Sequence, residues 1–257
     1  ILFLILNSFF LIKKRKIDEV FSTGGYMSLP VILAARLLNL KIYLIEPNLV
    51  LGRANKFFLN ICKNIFCYTD QIKNFPNNLK HKIVIINPLV RKNVYKFKST
   101  YDDKKKFTLL IVGGSQGAKI FNKNLKNSII SISKKIPIKV IQQTNEDNIT
   151  SLSKFYSDNN VENKIFCFDK NFGKIMQQSD LCITRGGAST LAELSVLNIP
   201  FIVVPLPSSK DNHQFENASF YRDNGCCWII AQDVFEKNID KFLMDIMENK
   251  TNYFDKI

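Results

Sequence analysis

The chain has 257 residues, of which 46% are hydrophobic and 23% charged. That balance excludes a disordered chain, and the length allows one large domain or two of ordinary size. The excess of 36 basic over 22 acidic residues gives a formal charge of +14, which reads either as an anionic partner or as a plain lysine-rich bias.

Ile1 to Arg15 reads as a helix that ends in the basic cluster Lys13-Lys14-Arg15-Lys16. Ile1 to Ile12 is apolar except for Asn7 and Ser8, yet it is shorter than the ~20 residues needed to span a bilayer. Glu19 to Ser22 predicts a strand and Thr23-Gly24-Gly25-Tyr26 a tight turn. Ser28 is placed to cap the next helix, with Pro30 in its first turn. Lys41 to Ile45 predicts a strand that stops at Glu46-Pro47-Asn48, and a helix follows from Gly52 to Cys62. Ile65 to Tyr68 and Ile83 to Ile86 are further strands, the second stopping at Asn87-Pro88-Leu89-Val90-Arg91. Tyr95 to Lys106 is polar, charged and without periodicity, so the domains are expected to be 1–95 and 96–257.

The second series opens with a strand over Phe107 to Val112 and the turn Gly113-Gly114-Ser115-Gln116-Gly117. Helices and strands then alternate: a helix to Ser133, a strand Ile138 to Gln142, a helix Asp147 to Tyr156, a strand Lys164 to Phe168 and a short helix Phe172 to Gln178. Leu181 to Thr184 is a buried strand followed by Gly186-Gly187, and Thr190-Leu191-Ala192-Glu193 fits a capping box. Phe201 to Val204 and Cys227 to Ile230 are strands, and Phe235 to Met247 is an amphipathic helix. This alternation predicts an α/β fold with two doubly wound parallel sheets.

Several residues carry candidate chemistry. The glycine turn at 113–117 stands between strand and helix, the context of an anion-binding loop, although no Gly-Lys-Ser/Thr follows it. A turn of this kind also serves close strand–helix packing. Glu193 reads either as the end of the capping box or as an acceptor of two hydroxyl hydrogen bonds. Arg91 reads either as a surface residue or as a clamp on a diphosphate. His213 and Gln214 sit at a loop-to-helix junction, while His81 lies in a polar loop. There is no paired-histidine or Asp-x-Asp metal motif, and the six cysteines form no CxxC pair, so reduced thiols, no metal and no cofactor are expected. Basic residues do not interleave with aromatics as a nucleic-acid platform requires, so no nucleic-acid partner is expected.

Ser22-Thr-Gly-Gly-Tyr-Met-Ser-Leu-Pro30, Glu46-Pro-Asn48, Asn87-Pro-Leu-Val-Arg91, Val112-Gly-Gly-Ser-Gln-Gly-Ala118, Arg185-Gly-Gly-Ala-Ser-Thr-Leu-Ala-Glu193 and Asp211-Asn-His-Gln-Phe-Glu-Asn-Ala218 occur in one order. Together they resemble the MurG family of transferases over nearly the whole chain. The resemblance implies a GT-B fold of two Rossmann-like domains, the first truncated here. It implies transfer of N-acetylglucosamine from UDP-N-acetylglucosamine to undecaprenyl-linked lipid I, with inversion, at the cytoplasmic face of the bacterial plasma membrane.

It also implies site residues. Glu193 binds the ribose; Ala188, Ser189, Thr190, Leu191 and Ala192 run beside the diphosphate and nucleoside; Phe168 lies beside the uracil. Ser115 contacts phosphate, Gln214 the sugar, and Asn48 and Arg91 complete the donor site. Gly24, Gly25 and Tyr26 resemble a loop for the acceptor diphosphate. The family's opening Gly-Gly-Thr-Gly-Gly-His loop has no counterpart in this sequence, which leaves the catalytic base unassigned and predicts donor binding with little turnover. The carboxyl end also reads as short. Pro47 replaces a common glutamine, and Asn87 to Arg91 carries one residue more than the usual Asn-Pro-Val-Arg. Two other readings stand beside this one: a related lipid glycosyltransferase, and a non-catalytic binding subunit of a split enzyme. The basic cluster and apolar first helix suit either an anionic membrane surface or packing on the first sheet.

Overall fold

A computed structural model describes residues 1–92, 94–96 and 106–248, with the side chains of 96, 114–118 and 248 left undescribed. The chain divides into two compact units, Ile1–Leu89 and Val90–Ile257. The division falls before Arg91, not at the polar stretch around residue 95, so Arg91 belongs to the second unit.

In the first unit, α1 (Leu2–Lys14), β1 (Glu19–Ser22), α2 (Ser28–Leu37), β2 (Lys41–Glu46), α3 (Arg53–Phe58), β3 (Asn64–Cys67) and β4 (Ile83–Ile85) follow one another. The strands pair in parallel in the order β1-β2-β3-β4. On one face Phe21, Tyr43 and Phe66 form a run of stacked rings, with centroids 4.8 Å and 6.0 Å apart. Ile42, Leu44 and Ile65 fill the core on the other, against Ile32, Ala34 and Ala35 of α2. The two alanines let the helix approach closely. Two local expectations change. Ser28 begins α2 rather than capping it, and its hydroxyl donates to the Gly25 carbonyl at 2.7 Å. The helix after Gly52 stops at Phe58, and Lys82 reaches back to gather the carbonyls of Leu59, Asn60 and Cys62 at 2.7, 3.1 and 2.8 Å. A cation there satisfies acceptors that the short helix leaves open.

In the second unit, β5 (Phe107–Val112), α4 (Gly114–Ser133), β6 (Ile138–Gln143), α5 (Glu146–Asp158), β7 (Glu162–Phe166), α6 (Phe172–Gln177), β8 (Leu181–Thr184), α7 (Ala188–Val196), β9 (Phe201–Val203), α8 (His213–Asp223), β10 (Cys227–Ile229) and α9 (Gln232–Glu248) build a six-stranded sheet. Its order is β10-β9-β8-β5-β6-β7, parallel throughout. Counted from β5, this is the doubly wound order 3-2-1-4-5-6 read from the far edge. Every residue of β5 is buried, as expected of a central strand covered on both faces.

One face packs against Phe121, Leu125, Ile129 and Ile132 of α4 and Phe235, Ile239 and Leu243 of α9. The other packs against Ile175 and Met176 of α6, Leu191 and Leu194 of α7, and Ala218 and Tyr221 of α8. A buried polar chain anchors α4 to the sheet: Tyr156 Oη donates to Gln142 Oε1 (2.9 Å), Gln142 Nε2 to Asn122 Oδ1 (2.8 Å), and Asn122 Nδ2 to Thr144 Oγ1 (2.7 Å). Each side chain in it has a partner, so its burial carries no orphan cost.

The cysteines are free. Burial pushes the Cys67 and Cys227 thiols up to about 12, which keeps them protonated and unreactive.

Candidate donor site

The strand order of the second sheet reverses between β5 and β8. Loops leaving the carboxyl ends of these strands diverge to opposite faces and open a crevice. A cavity of about 640 Å³ lies there. Val112 and Gly113 from β5, Thr184, Arg185 and Gly187 from β8, and Gln143 and Phe166 from β6 and β7 line its floor. Ser189, Thr190, Glu193, Arg91, Phe168 and Gln214 complete the wall.

The helix at this site starts earlier than the sequence suggests. Gly187 is the extended cap residue and α7 begins at Ala188 without a side-chain cap. Thr190 and Glu193 therefore lie inside the helix, and no capping box forms. The amides of the first turn point their partial positive charge toward the cavity, a favourable place for an anion. Leu191 and Ala192 are fully buried, and Leu191 packs into the core. Ala188 is half-buried beside Gly187.

Freed from capping, the Glu193 carboxylate meets Arg91. Arg91 Nε donates to Oε1 and Arg91 Nη2 to Oε2, both at 2.6 Å. This is a parallel two-point fork between residues 102 positions apart. The Glu193 side chain is 6% exposed and that of Arg91 46%. Bonding to the carboxylate holds the guanidinium pKa above its ordinary value. The same guanidinium lies over the Phe172 ring, 5.3 Å from its centroid.

Arg185 is a site residue that the motif reading passed over. It is 8% exposed. Its Nη1 donates to the Val204 carbonyl at 2.8 Å and its Nη2 to Gln232 Oε1 at 3.1 Å. Its Cζ lies 5.2 Å from the Phe121 ring centroid, and its buried Nε has no partner. Burial lowers its pKa. The Val204 carbonyl and the Gln232 amide are neutral, so a fixed positive charge sits under the cavity. Its signal was an arginine at the end of a buried strand.

Gln214 ties the crevice together. Its Oε1 accepts from the Leu206 amide at 2.9 Å and the Gly186 amide at 3.4 Å, and Asn217 Nδ2 donates to the Gly186 carbonyl at 3.0 Å. Asp211 and Asn212, just before α8, both adopt the left-handed conformation, at φ 53° and 55°. Asp and Asn tolerate that region better than most residues. Phe168 is 77% exposed on the rim. Its turn is braced by Asp169, which accepts from Lys164 at 2.9 Å and from the Asn171 amide at 2.8 Å. Gly113 caps α4, which places Ser115 in the first turn, though its side chain lies outside the described residues.

The remaining expected residues lie in the first unit. Gly24 and Gly25 have φ of 80° and 85°, as their turn requires, and Tyr26 is exposed. Asn48 donates through its amide and its Nδ2 to Glu46 Oε1, at 3.1 and 3.0 Å. Glu46, 2% exposed, also accepts from the Gly52 amide at 2.8 Å and from Asn55 Nδ2 at 2.9 Å. Among the described residues no cluster of three His, Cys, Asp or Glu side chains has the arrangement of a metal site.

Residues 108–257 match the glycosyltransferase family 28 C-terminal domain, and residues 2–67 match the family 28 N-terminal domain. The chain is 49% identical over 256 residues to the UDP-N-acetylglucosamine--N-acetylmuramyl-(pentapeptide) pyrophosphoryl-undecaprenol N-acetylglucosamine transferase of Pelagibacter ubique, covering 99% of this chain and 72% of that protein. It is 36% identical over 252 residues to the same-named transferase of Rickettsia canadensis, covering 95% and 71%. The crystal structure of Acinetobacter baumannii MurG superposes with a TM-score of 0.77 at 27% identity, over 98% of this chain and 72% of that one. A Neisseria meningitidis UDP-GlcNAc 2-epimerase bound to UDP-GlcNAc shares the fold, at a TM-score of 0.69 and 15% identity, over 98% and 74%. With both domain families matched in order and near-half identity across its length, the chain belongs to glycosyltransferase family 28 and, within it, to the MurG family.

Proposed function

We propose that the chain binds UDP-N-acetylglucosamine in the crevice of its second unit and transfers the sugar to undecaprenyl-pyrophosphoryl-muramyl-pentapeptide, lipid I, giving lipid II. One observation carries the placement of the donor. The 640 Å³ cavity at the switch point combines a helix start without a side-chain cap, a buried carboxylate and two guanidinium groups. That set suits a ligand with a sugar diol and a diphosphate.

In this reading Glu193 accepts from the ribose hydroxyls. Ser189, Thr190 and the α7 amides hold the diphosphate, with Ser115 adding a contact. Phe168 stacks on the uracil, and the Gln214 amide nitrogen donates to the sugar. The acceptor hydroxyl attacks the anomeric carbon as the bond to the UDP oxygen breaks, and the configuration inverts. Charge develops on the departing diphosphate. With the donor bound, the α7 amides face that charge, Arg91 moves from Glu193 onto the diphosphate, and the buried cation of Arg185 adds its field, so the stabilisation is in place before the bond breaks. The Gly24-Gly25-Tyr26 turn receives the acceptor diphosphate. A general base takes the proton of the attacking hydroxyl as the new bond forms.

The first helix exposes Leu2, Phe3, Leu6 and Phe10 and ends in Lys13, Lys14, Arg15 and Lys16. That pairing suits peripheral contact with an anionic membrane at the cytoplasmic face. No helix among the described residues is long and apolar enough to cross a membrane. One assay addresses both parts. Protein, UDP-N-acetylglucosamine and vesicles are mixed, with lipid I or diacylglycerol as acceptor. The protein should sediment with anionic but not zwitterionic vesicles, and sugar should pass at low turnover and to lipid I alone. Transfer to diacylglycerol, or donor hydrolysis without transfer, would overturn the reading.

A further inference from the structure

We infer that Arg91 determines the specificity of the donor site by standing in for the ribose diol on Glu193, so that the carboxylate is yielded only to a ligand whose diphosphate takes the guanidinium in exchange. This deepens the donor-site reading and rests on it.

A carboxylate offers two oxygens, and a vicinal diol that binds it in two-point fashion needs both. In the structure both oxygens already accept from Arg91, each at 2.6 Å. Only 6% of the Glu193 side chain is exposed, so little of the carboxylate is open elsewhere. A diol therefore has to replace the fork. Arg91 is suited to leave. Its side chain is 46% exposed, it lines the same cavity as Glu193, and it rests on the Phe172 ring. That ring gives the guanidinium a berth that does not depend on Glu193.

The exchange has a different outcome for two kinds of ligand. Uridine brings a diol and no anion, so it must break the fork and leave the guanidinium without a counter-charge. UDP brings both halves: its diol satisfies Glu193 while its diphosphate satisfies Arg91. The other carboxylate on the cavity wall, Asp169, is held by Lys164 and the Asn171 amide. The Arg91–Glu193 fork thus makes the site prefer nucleoside diphosphates over nucleosides by more than the diphosphate contacts alone provide.

Calorimetric titration of uridine and of UDP into the wild-type chain and Arg91→Ala tests this. Arg91→Ala should bind uridine about tenfold more tightly and UDP about tenfold more weakly. Uridine bound equally or more weakly by a folded Arg91→Ala would overturn the inference, because Arg91 would then be a simple contact. Should Arg91→Ala fail to fold by circular dichroism, Arg91→Lys carries the same test, since an ammonium keeps the charge but cannot form the planar fork. A second measurement needs no substitution. Rising salt weakens a half-exposed ion pair, so uridine should bind the wild-type chain more tightly in high salt and UDP less tightly. Parallel salt trends for the two ligands would contradict the exchange. A folded wild-type chain that binds neither ligand would overturn the donor-site reading and, with it, this inference; UDP binding with an unmoved uridine affinity would overturn the inference alone.

Discussion

Gly186→Ala should lower the melting temperature of the second unit by roughly 6–12 °C and abolish UDP binding, corresponding to a loss of about 3 kcal/mol. A Cβ at Gly186 would lie 2.1 Å from the carbonyl oxygen of Gln214, 2.6 Å from its carbonyl carbon and 2.7 Å from its Cα. All three are backbone atoms, so no side-chain rotation relieves the clash. The start of α8 has to move. That segment also carries the Gln214 oxygen that accepts from the Leu206 and Gly186 amides, and the Asn217 side chain that donates to the Gly186 carbonyl. Moving it breaks the links between the loops after β8 and β9, which form the wall of the crevice. Gly187→Ala is the control for stability alone, because nothing in the protein lies within 4 Å of its added Cβ although it lines the crevice. Thermal melting and UDP titration of the two variants check the expectation. Equal stability of Gly186→Ala and the parent would refute the close approach.

Glu46→Ala should remove about 3 kcal/mol from the first unit. Glu46 ends β2 at 2% exposure and accepts from two backbone amides and two side-chain amides within 3.1 Å. Alanine leaves those donors facing a void. The effect extends to the glycine turn, because a Cβ on Gly24 would touch Asn55 Oδ1 at 3.0 Å, and Asn55 is held in place by Glu46. Glu46→Gln does not restore the network, since its NH₂ would face a donor. Hydrogen exchange gives the local readout. The amides of Asn48 and Gly52 should lose protection in Glu46→Ala while β5 and β8 keep theirs. Unchanged protection at Gly52 would show that the carboxylate is dispensable.

Local pattern carried much of the architecture. Phe107 to Val112 is an unbroken apolar run before a glycine turn, and it forms the central strand with those bounds. Alternating strands and helices implied parallel sheets, and parallel sheets are what form. The features that local pattern missed depend on distant partners. Thr190 to Glu193 has the spacing of a capping box, but Gly187 takes the extended conformation and starts α7 at Ala188. No local rule indicates that Glu193 then pairs with a residue 102 positions away. Arg185 looked like part of a turn because its acceptors lie on other strand ends and on Gln232. Glu46 gave a readable sign: a carboxylate closing an apolar strand, followed by Asn48, Gly52 and Asn55. A buried acid in that setting gathers donors from the next loop.

Donor binding at the switch-point crevice of the second unit can be followed residue by residue. Titrating UDP-N-acetylglucosamine into the isotope-labelled chain and following backbone amide resonances tests it most directly. Saturable shifts are expected at Gly187 to Glu193, Phe168 and Gln214, with the β10 edge and the α4–α9 face unmoved. Saturable shifts centred elsewhere, with Gly187 to Glu193 silent, would contradict it.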